Sequence, residues 1–340
     1  MPGLIRWHLL CGLLPVLVAC KPQAGETELR AVVAQQVAVA HASYQQSLAS
    51  ARVLDARIAL LIERPGTDTL EAARSAWRAA RVPYGQTEAL RFGHGVVDAL
   101  KPRVNAWPID EGLLDYVGPG YQAAADNPAA RANFVASDYL EFAGIRADLS
   151  QVSLGTLRYL NELLGIESNV TRGYHAIEFL LWGQDFSDTG PGARPWTDYA
   201  PDARCTDGPN KAAAKHCAKR GQLLRAASQL LVLDLIDLDA EWNPDQGSYA
   251  RRLIAGDPKE ALRRMLFGMA AMARDELAGQ RIEAGLLSGG QEEEQDCFSD
   301  NTPHSHAANA RGVANLYWGR TPDAAPAATA HEHSLAQLLA

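Results

Sequence analysis

Gly173-Tyr174-His175-Ala176-Ile177-Glu178 sets an imidazole and a carboxyl three positions apart, inside an otherwise apolar run that ends at Trp182. On a helix this spacing puts both side chains on one face. Ionisable groups are costly to bury unless paired or bound, so the pair marks either an internal hydrogen bond or a ligand site. A metal would need more donors than one imidazole and one carboxylate. Glu88, Asp110 and Asp300 are the acids that could supply them. A zinc peptidase typically offers HExxH, with two imidazoles one turn apart and a general-base Glu between them. Here Ala176 follows His175 and no second His stands at that spacing, so peptidase chemistry does not follow from the motif. No GxSxG elbow or phosphate-binding glycine loop stands in a fitting context. His304, His306, His331 and His333 form pairs near the C-terminus and read as exposed tail residues.

The elements that must position this pair are helical. Leu29, Val33, Val37, Ala40, Tyr44, Leu48, Leu54, Ile58 and Leu61 form a long amphipathic stripe that stops at Arg64-Pro65-Gly66. Asp68 with Glu71 resembles a capping box that opens a helix through Leu70, Ala73 and Trp77. A second stripe runs from Leu223 to Leu238 and ends at Asn243-Pro244. Asp257-Pro258-Lys259-Glu260 supplies an N-cap, a proline in the first turn and an acid after it. Few segments alternate as strands do, so the expected fold class is all-α. Three Gly/Pro/Asp-rich connections, near 101–119, 184–207 and 285–303, interrupt the helices. Tyr84 to Phe92 also echoes Tyr174 to Trp182 in four residue classes, a match that chance can produce and whose alternative is two related halves with Glu88 and Glu178 in equivalent places.

At the N-terminus, Arg6 precedes an apolar run from Trp7 to Val18 and then Ala19-Cys20. The run is shorter than the roughly 18 to 20 residues of a spanning helix, so residues 1–19 read as an export signal. Leu17-Val18-Ala19-Cys20 resembles a bacterial lipobox, with Cys20 as the acylated residue and 20–28 as a tether. Lys21 rather than Asp after the cysteine favours the outer membrane, with the protein facing the periplasm or the cell surface. The formal charge of −8 gives nucleic-acid binding no electrostatic support. Cys205, Cys217 and Cys297 remain in a compartment that permits disulfides. Cys205 and Cys217, close in sequence, are the preferred pair. A bond to Cys297 and a metal site are the rival readings.

Several longer motifs point to a family. Trp77 to Glu88 (WRAARVPYGQTE), Asn105 to Glu111 (NAWPIDE), His175 to Asp185 (HAIEFLLWGQD), Glu276 to Gly279 and Cys297 to Thr302 (CFSDNT) resemble those of the imelysin-like family, and within it the iron-regulated lipoproteins. The resemblance covers most of the mature chain. It implies two packed helical-bundle domains, taken as 29–165 and 166–340, with GxHxxE near their junction. It also implies a cell-envelope role connected with iron acquisition, in which iron, another metal or a metal-bearing ligand binds between the bundles. An outer-membrane uptake partner would fit such a role. On that reading His175 and Glu178 are the main metal-binding groups, Glu88, Asp110 and Asp300 contribute, and Arg81, Tyr84 and Ser299 line the site or contact the ligand. The resemblance brings two alternatives: a metallopeptidase using the HxxE pair, and a scaffold lipoprotein in which that pair is structural. The chain departs from the family at Pro303, where relatives tend to have His, and it stops soon after Leu335, so its last helix is expected to be short.

Overall fold

The computed structural model describes residues 25–91, 93–123, 126–142, 144–187, 189–201, 216–289, 294–325 and 328–340. Helix α1 (Glu26–Glu63) carries the whole first apolar stripe on its buried face and stops at Arg64, before Pro65. Its 38 residues make a rod roughly 57 Å long, the spine of the molecule. Helix α2 (Thr67–Gly85) folds back along it. The expected capping box is absent here: Gly66 occupies the N-cap without a side-chain bond, Asp68 is already inside the first turn, and Glu71 turns to Arg74 at 2.6 Å. Asp68 still favours this end through the helix dipole.

After a 3₁₀ turn at Glu88–Leu90 come α3 (Gly95–Val104), which extends into the expected 101–119 loop, and the single turn α4 (Glu111–Leu114), which interrupts it. An antiparallel hairpin, β1 (Tyr139–Phe142) with β2 (Ile145–Asp148), follows. It escaped the sequence reading because its four-residue strands are too short to show a period; Leu140 and Ala147, cross-strand partners, are the buried pair. Helix α5 (Leu154–Leu160) is capped by Ser153, whose Oγ accepts from the Thr156 amide at 3.0 Å. Then come α6 (Gly173–Trp182), which bears GxHxxE, and a 3₁₀ turn at Trp196–Tyr199.

Helix α7 (Cys217–Trp242) holds the second stripe and ends before Asn243-Pro244 as expected. After α8 (Ser248–Ala255), Asp257 caps α9 (Pro258–Ala270) by accepting from the Lys259 amide at 2.9 Å. The helix continues as a π segment, Ala271–Glu283, and a last α turn, α10 (Ala284–Ser288), beyond the point where the sequence placed a loop. Helix α11 (Thr302–Trp318) has Pro303 in its first turn, so the departure from the family pattern falls where proline suits a helix start. The short α12 (Leu335–Leu339) packs on α11 and α1.

The protein is thus overwhelmingly α-helical. Helix α1 packs against α2 and α7, α6 against α2, α3 and α7, and α11 against α2. Buried apolar residues from Leu29 to Leu335 form one continuous cluster. The division at 165/166 is accordingly a proposal about two halves whose cores merge. The Tyr84 echo of Tyr174 also diverges in form, because α2 ends at Gly85 whereas α6 continues through Trp182. His304 and His306 prove to be helical residues of α11, with His306 half-buried.

Cys217 is disulfide-bonded and Cys297 carries a thiol, so the partner of Cys217 lies outside the described residues, where Cys205 falls. The expected pairing is therefore Cys205 with Cys217, closing a loop whose constraint contributes about 3 kcal/mol. Non-reducing peptide mapping should recover those two cysteines in one linked fragment; recovery of Cys297 in a disulfide would contradict the pairing.

Candidate metal centre

Helix α6 starts where only glycine fits. Gly173 has φ +86°, and a Cβ there would sit 2.6 Å from the Val104 carbonyl oxygen at the end of α3. That close approach lets α6 enter the core, and all ten of its residues are buried. Helix α2 fastens it: Trp77 Nε1 donates to the Tyr174 carbonyl at 2.9 Å, and Arg74 donates to the Leu181 carbonyl near its C-terminal end.

One turn into α6, His175 Nδ1 and Glu178 Oε2 share a hydrogen bond of 3.0 Å, as the i,i+3 spacing requires. A third acid completes the group. Asp296 Oδ1 stands 3.8 Å from His175 Nδ1, and His175, Glu178 and Asp296 each offer a ligand atom within 4.8 Å of the others. All three side chains are fully enclosed. Ser299, on the same connection as Asp296, donates to Glu178 Oε1 from both its Oγ (2.6 Å) and its backbone amide (3.1 Å). The connection is folded inward by its own polar groups: the Asp296 amide donates to Thr302 Oγ1, while Asn301 Nδ2 and Ser305 Oγ donate to Asp296 Oδ2. Arg81 of α2 faces Asp296 from the other side, with Nη2 to Oδ1 at 2.7 Å, and its Nη1 donates to Asn105 Oδ1 at 2.6 Å.

Burial and neighbouring charge set the protonation of these groups. Burial, reinforced by Arg81, pushes the His175 imidazole down to about 3, so the ring is neutral. Burial and then the Asp296 charge push the Glu178 carboxyl well above the usual carboxylate range. For Asp296 burial also opposes ionisation, but Arg81, His175 and the Ser305 and Asn301 hydrogen bonds outweigh it and hold the group below its ordinary value. In the metal-free protein one carboxylate is therefore charged and the other shares its proton with an imidazole.

This donor set fits a cation. One imidazole with two carboxylates suits first-row divalent ions. The 3.0 Å between Nδ1 and Oε2 matches adjacent ligands at right angles about a metal with bonds near 2.1 Å. The ring nitrogen that faces both carboxylates is Nδ1, while Nε2 is enclosed on the other side of the imidazole without a hydrogen-bond partner.

The other expected site residues fall elsewhere. Tyr84 lies buried with its ring 5.0 Å from that of Tyr174, behind the site. The Glu88 carboxylate is committed to Arg91 (2.9 Å) and Arg281 (2.7 Å), and these guanidinium groups overcome burial to hold it far below the usual range. Asp110 accepts from Tyr121 (3.0 Å), Ser168 (2.6 Å) and Asn127, a polar knot that organises its own loop. Asp300 is exposed, at a positive φ of 52° that turns the chain into α11. Asp296 was missed because it lies one residue before the CFSDNT motif; its signal was that Ser299, Asn301, Thr302 and Ser305 follow at spacings able to wrap one acid.

A helical protein whose central helix buries a His-carboxyl pair against an acid from a distant loop is what the geometry defines. The imelysin (Peptidase_M75) family model matches residues 40–340, and the chain belongs to that family. Among curated proteins it is similar to iron-regulated protein A of Synechococcus elongatus, 33% identical over 113 residues. That alignment spans 32% of this chain and 30% of the relative, so the chain matches under a third of the relative's length. A crystal structure assigned to an iron-regulated protein A precursor from Parabacteroides distasonis shares the fold, with TM-score 0.63, 20% identity and coverage of 93% of this chain and 80% of that one.

The protonation pattern gives a stability test. A histidine neutral in the fold but protonated when unfolded contributes stability that is full above pH 6.5 and is lost as pH falls. His175 behaves so, and so does His94, which burial and Arg264 push down to about 4. Glu178, raised, works oppositely: above about 4.5 the unfolded chain has lost a proton that the fold keeps. As pH falls below 6.5, Glu178 therefore opposes the loss of stability that comes from His175 and from the other depressed imidazoles, His94, His216 and His306. Denaturant titrations of metal-free protein should show a steeper loss of stability as pH falls below 6.5 in Glu178→Gln than in the wild type. Equal slopes in the two proteins would contradict this assignment.

Proposed function

We propose that this chain is an exported, lipid-anchored cell-envelope protein that holds iron or a similar metal ion, free or as a chelate, in iron acquisition. The carrying observation is the enclosed trio of His175, Glu178 and Asp296, with ligand atoms within 4.8 Å of one another. The name of the curated relative, iron-regulated protein A, makes iron the first ion to test. His175 would hold the ion through Nδ1 and Glu178 through Oε2, with Ser299 orienting the Glu178 carboxyl from its far side. Binding replaces the proton shared by His175 and Glu178, so affinity rises with pH until that proton is gone. Because His175 is already neutral, Glu178 rather than the imidazole governs this dependence.

Calorimetric titration of the tag-free mature domain with ferrous, ferric, zinc and copper ions tests the reading. Saturable one-site binding that His175→Ala removes supports it, while wild-type binding by that variant would assign the pair a structural role. A parallel assay of peptide cleavage decides the metallopeptidase alternative: metal-dependent turnover lost in Glu178→Gln would establish it.

Anchoring rests on the Leu17-Val18-Ala19-Cys20 quartet and lies outside the described residues. Among the described residues no helix is long and apolar enough to cross a membrane. Cys20→Ser should release the domain from the membrane fraction or leave an unprocessed precursor. Normal processing and unchanged fractionation would contradict the lipid anchor.

A further inference from the structure

Arg81 is an unusual neighbour for a cation site. Its guanidinium is buried, and every one of its nitrogens is engaged: Nη2 at 2.7 Å and Nε at 3.4 Å from Asp296, Nη1 at 2.6 Å from Asn105. The rings of Trp77 and Tyr174 lie 5.5 and 5.2 Å from its central carbon and hold it in place. With all three nitrogens committed and two rings packed beside it, the side chain is held against Asp296. Arginine does not lose its proton in proteins, so this positive charge is permanent.

The charge count around the three donors is therefore fixed within narrow bounds. His175 contributes nothing, Glu178 and Asp296 contribute at most two negative charges, and Arg81 returns one positive. The neighbouring cluster of Glu88 and Glu276 with Arg91 and Arg281 balances to zero. A divalent ion entering the site leaves one net positive charge in a buried, poorly solvated place, and a trivalent ion of similar size leaves two. Resting on the metal-site reading above, we propose that Arg81 is the specificity-determining residue that biases the His175–Glu178–Asp296 site toward divalent and against trivalent cations. The ligand class is thus a bare divalent first-row ion, ferrous rather than ferric if iron is bound.

The magnitude follows from Coulomb's law. A unit charge about 6 Å from the ion, at an effective dielectric near 20, changes the relative affinity for ions differing by one charge on the order of a hundredfold. The test measures dissociation constants of the mature domain for Mn²⁺ and for Ga³⁺ delivered from citrate, and reads their ratio. Arg81→Gln should shift the ratio toward Ga³⁺ on the order of a hundredfold, whereas Arg81→Lys, which keeps the charge, should leave it close to wild type. Because Arg81→Gln strands a buried carboxylate, the same substitution is also read in the Asp296→Asn background, where no carboxylate is left unpaired. A shift of the same size and direction is expected there, relative to Asp296→Asn alone. A ratio indifferent to loss of Arg81 in the folded variants, or shifted equally by Arg81→Lys, overturns the proposal. His175-dependent Mn²⁺ binding with an indifferent ratio would sink this inference alone. Mn²⁺ binding that His175→Ala leaves intact would remove the metal-site reading and the inference with it.

Discussion

Substitution of His175 by Ala should weaken divalent-metal binding by more than the roughly 10- to 100-fold that loss of an outer-shell partner costs. The ring supplies the only nitrogen among three donors, and nothing else in the trio can replace it. Glu178→Gln should weaken binding comparably, because the amide keeps the shape of the carboxyl but cannot become an anion. Ser299→Ala provides the graded comparison: Ser299 only orients Glu178, so its loss should fall within the 10- to 100-fold range. Matched circular dichroism and thermal melts of the metal-free variants separate these losses from unfolding. Equal effects of His175→Ala and Ser299→Ala would argue that both are parts of one structural hydrogen-bond network.

Gly173→Ala should be the most damaging single substitution in the approach to the site. The added methyl meets the Val104 carbonyl oxygen at 2.6 Å, and φ +86° is strained for any residue with a Cβ. Neither wall can give way cheaply, since one is the backbone of α3 and the other is a helix buried along its full length. We expect a destabilisation of about 3 kcal/mol or more, read from chemical denaturation, with weakened metal binding because α6 carries His175 and Glu178. A variant with wild-type stability and affinity would show that the α3–α6 junction is soft.

The helices were legible in the sequence wherever a long stripe met a clear stop. Leu29 to Leu61 before Pro65, Leu223 to Leu238 before Pro244, and Asp257-Pro258 each fixed an element because periodicity and punctuation agreed. The hairpin at 139–148 and the π continuation after Ala270 were not legible, since each depends on packing that leaves no local period. At the site, the i,i+3 rule alone brought His175 to Glu178. The third acid required knowing that a connection some 120 residues later folds back over α6, and sequence spacing carries no such information. Glu88 and Asp110, which looked like ligands by residue type, are instead committed to arginines and to hydroxyl or amide partners respectively. The same carboxylate chemistry serves both purposes, and only the neighbours distinguish them. Arg81 had a clearer sign in its position within the WRAARVPYGQTE segment, but its role depends on Asp296 and could not be read without it.

The most direct test of the central claim is anomalous diffraction from crystals of the mature domain grown with ferrous or manganous ion, recorded on both sides of the metal absorption edge. The account expects a single strong anomalous peak enclosed by His175 Nδ1, a Glu178 oxygen and an Asp296 oxygen, at bonds of about 2.0 to 2.3 Å. A peak found only at the C-terminal histidines, with the His175–Glu178 hydrogen bond intact beneath Ser299, would contradict it.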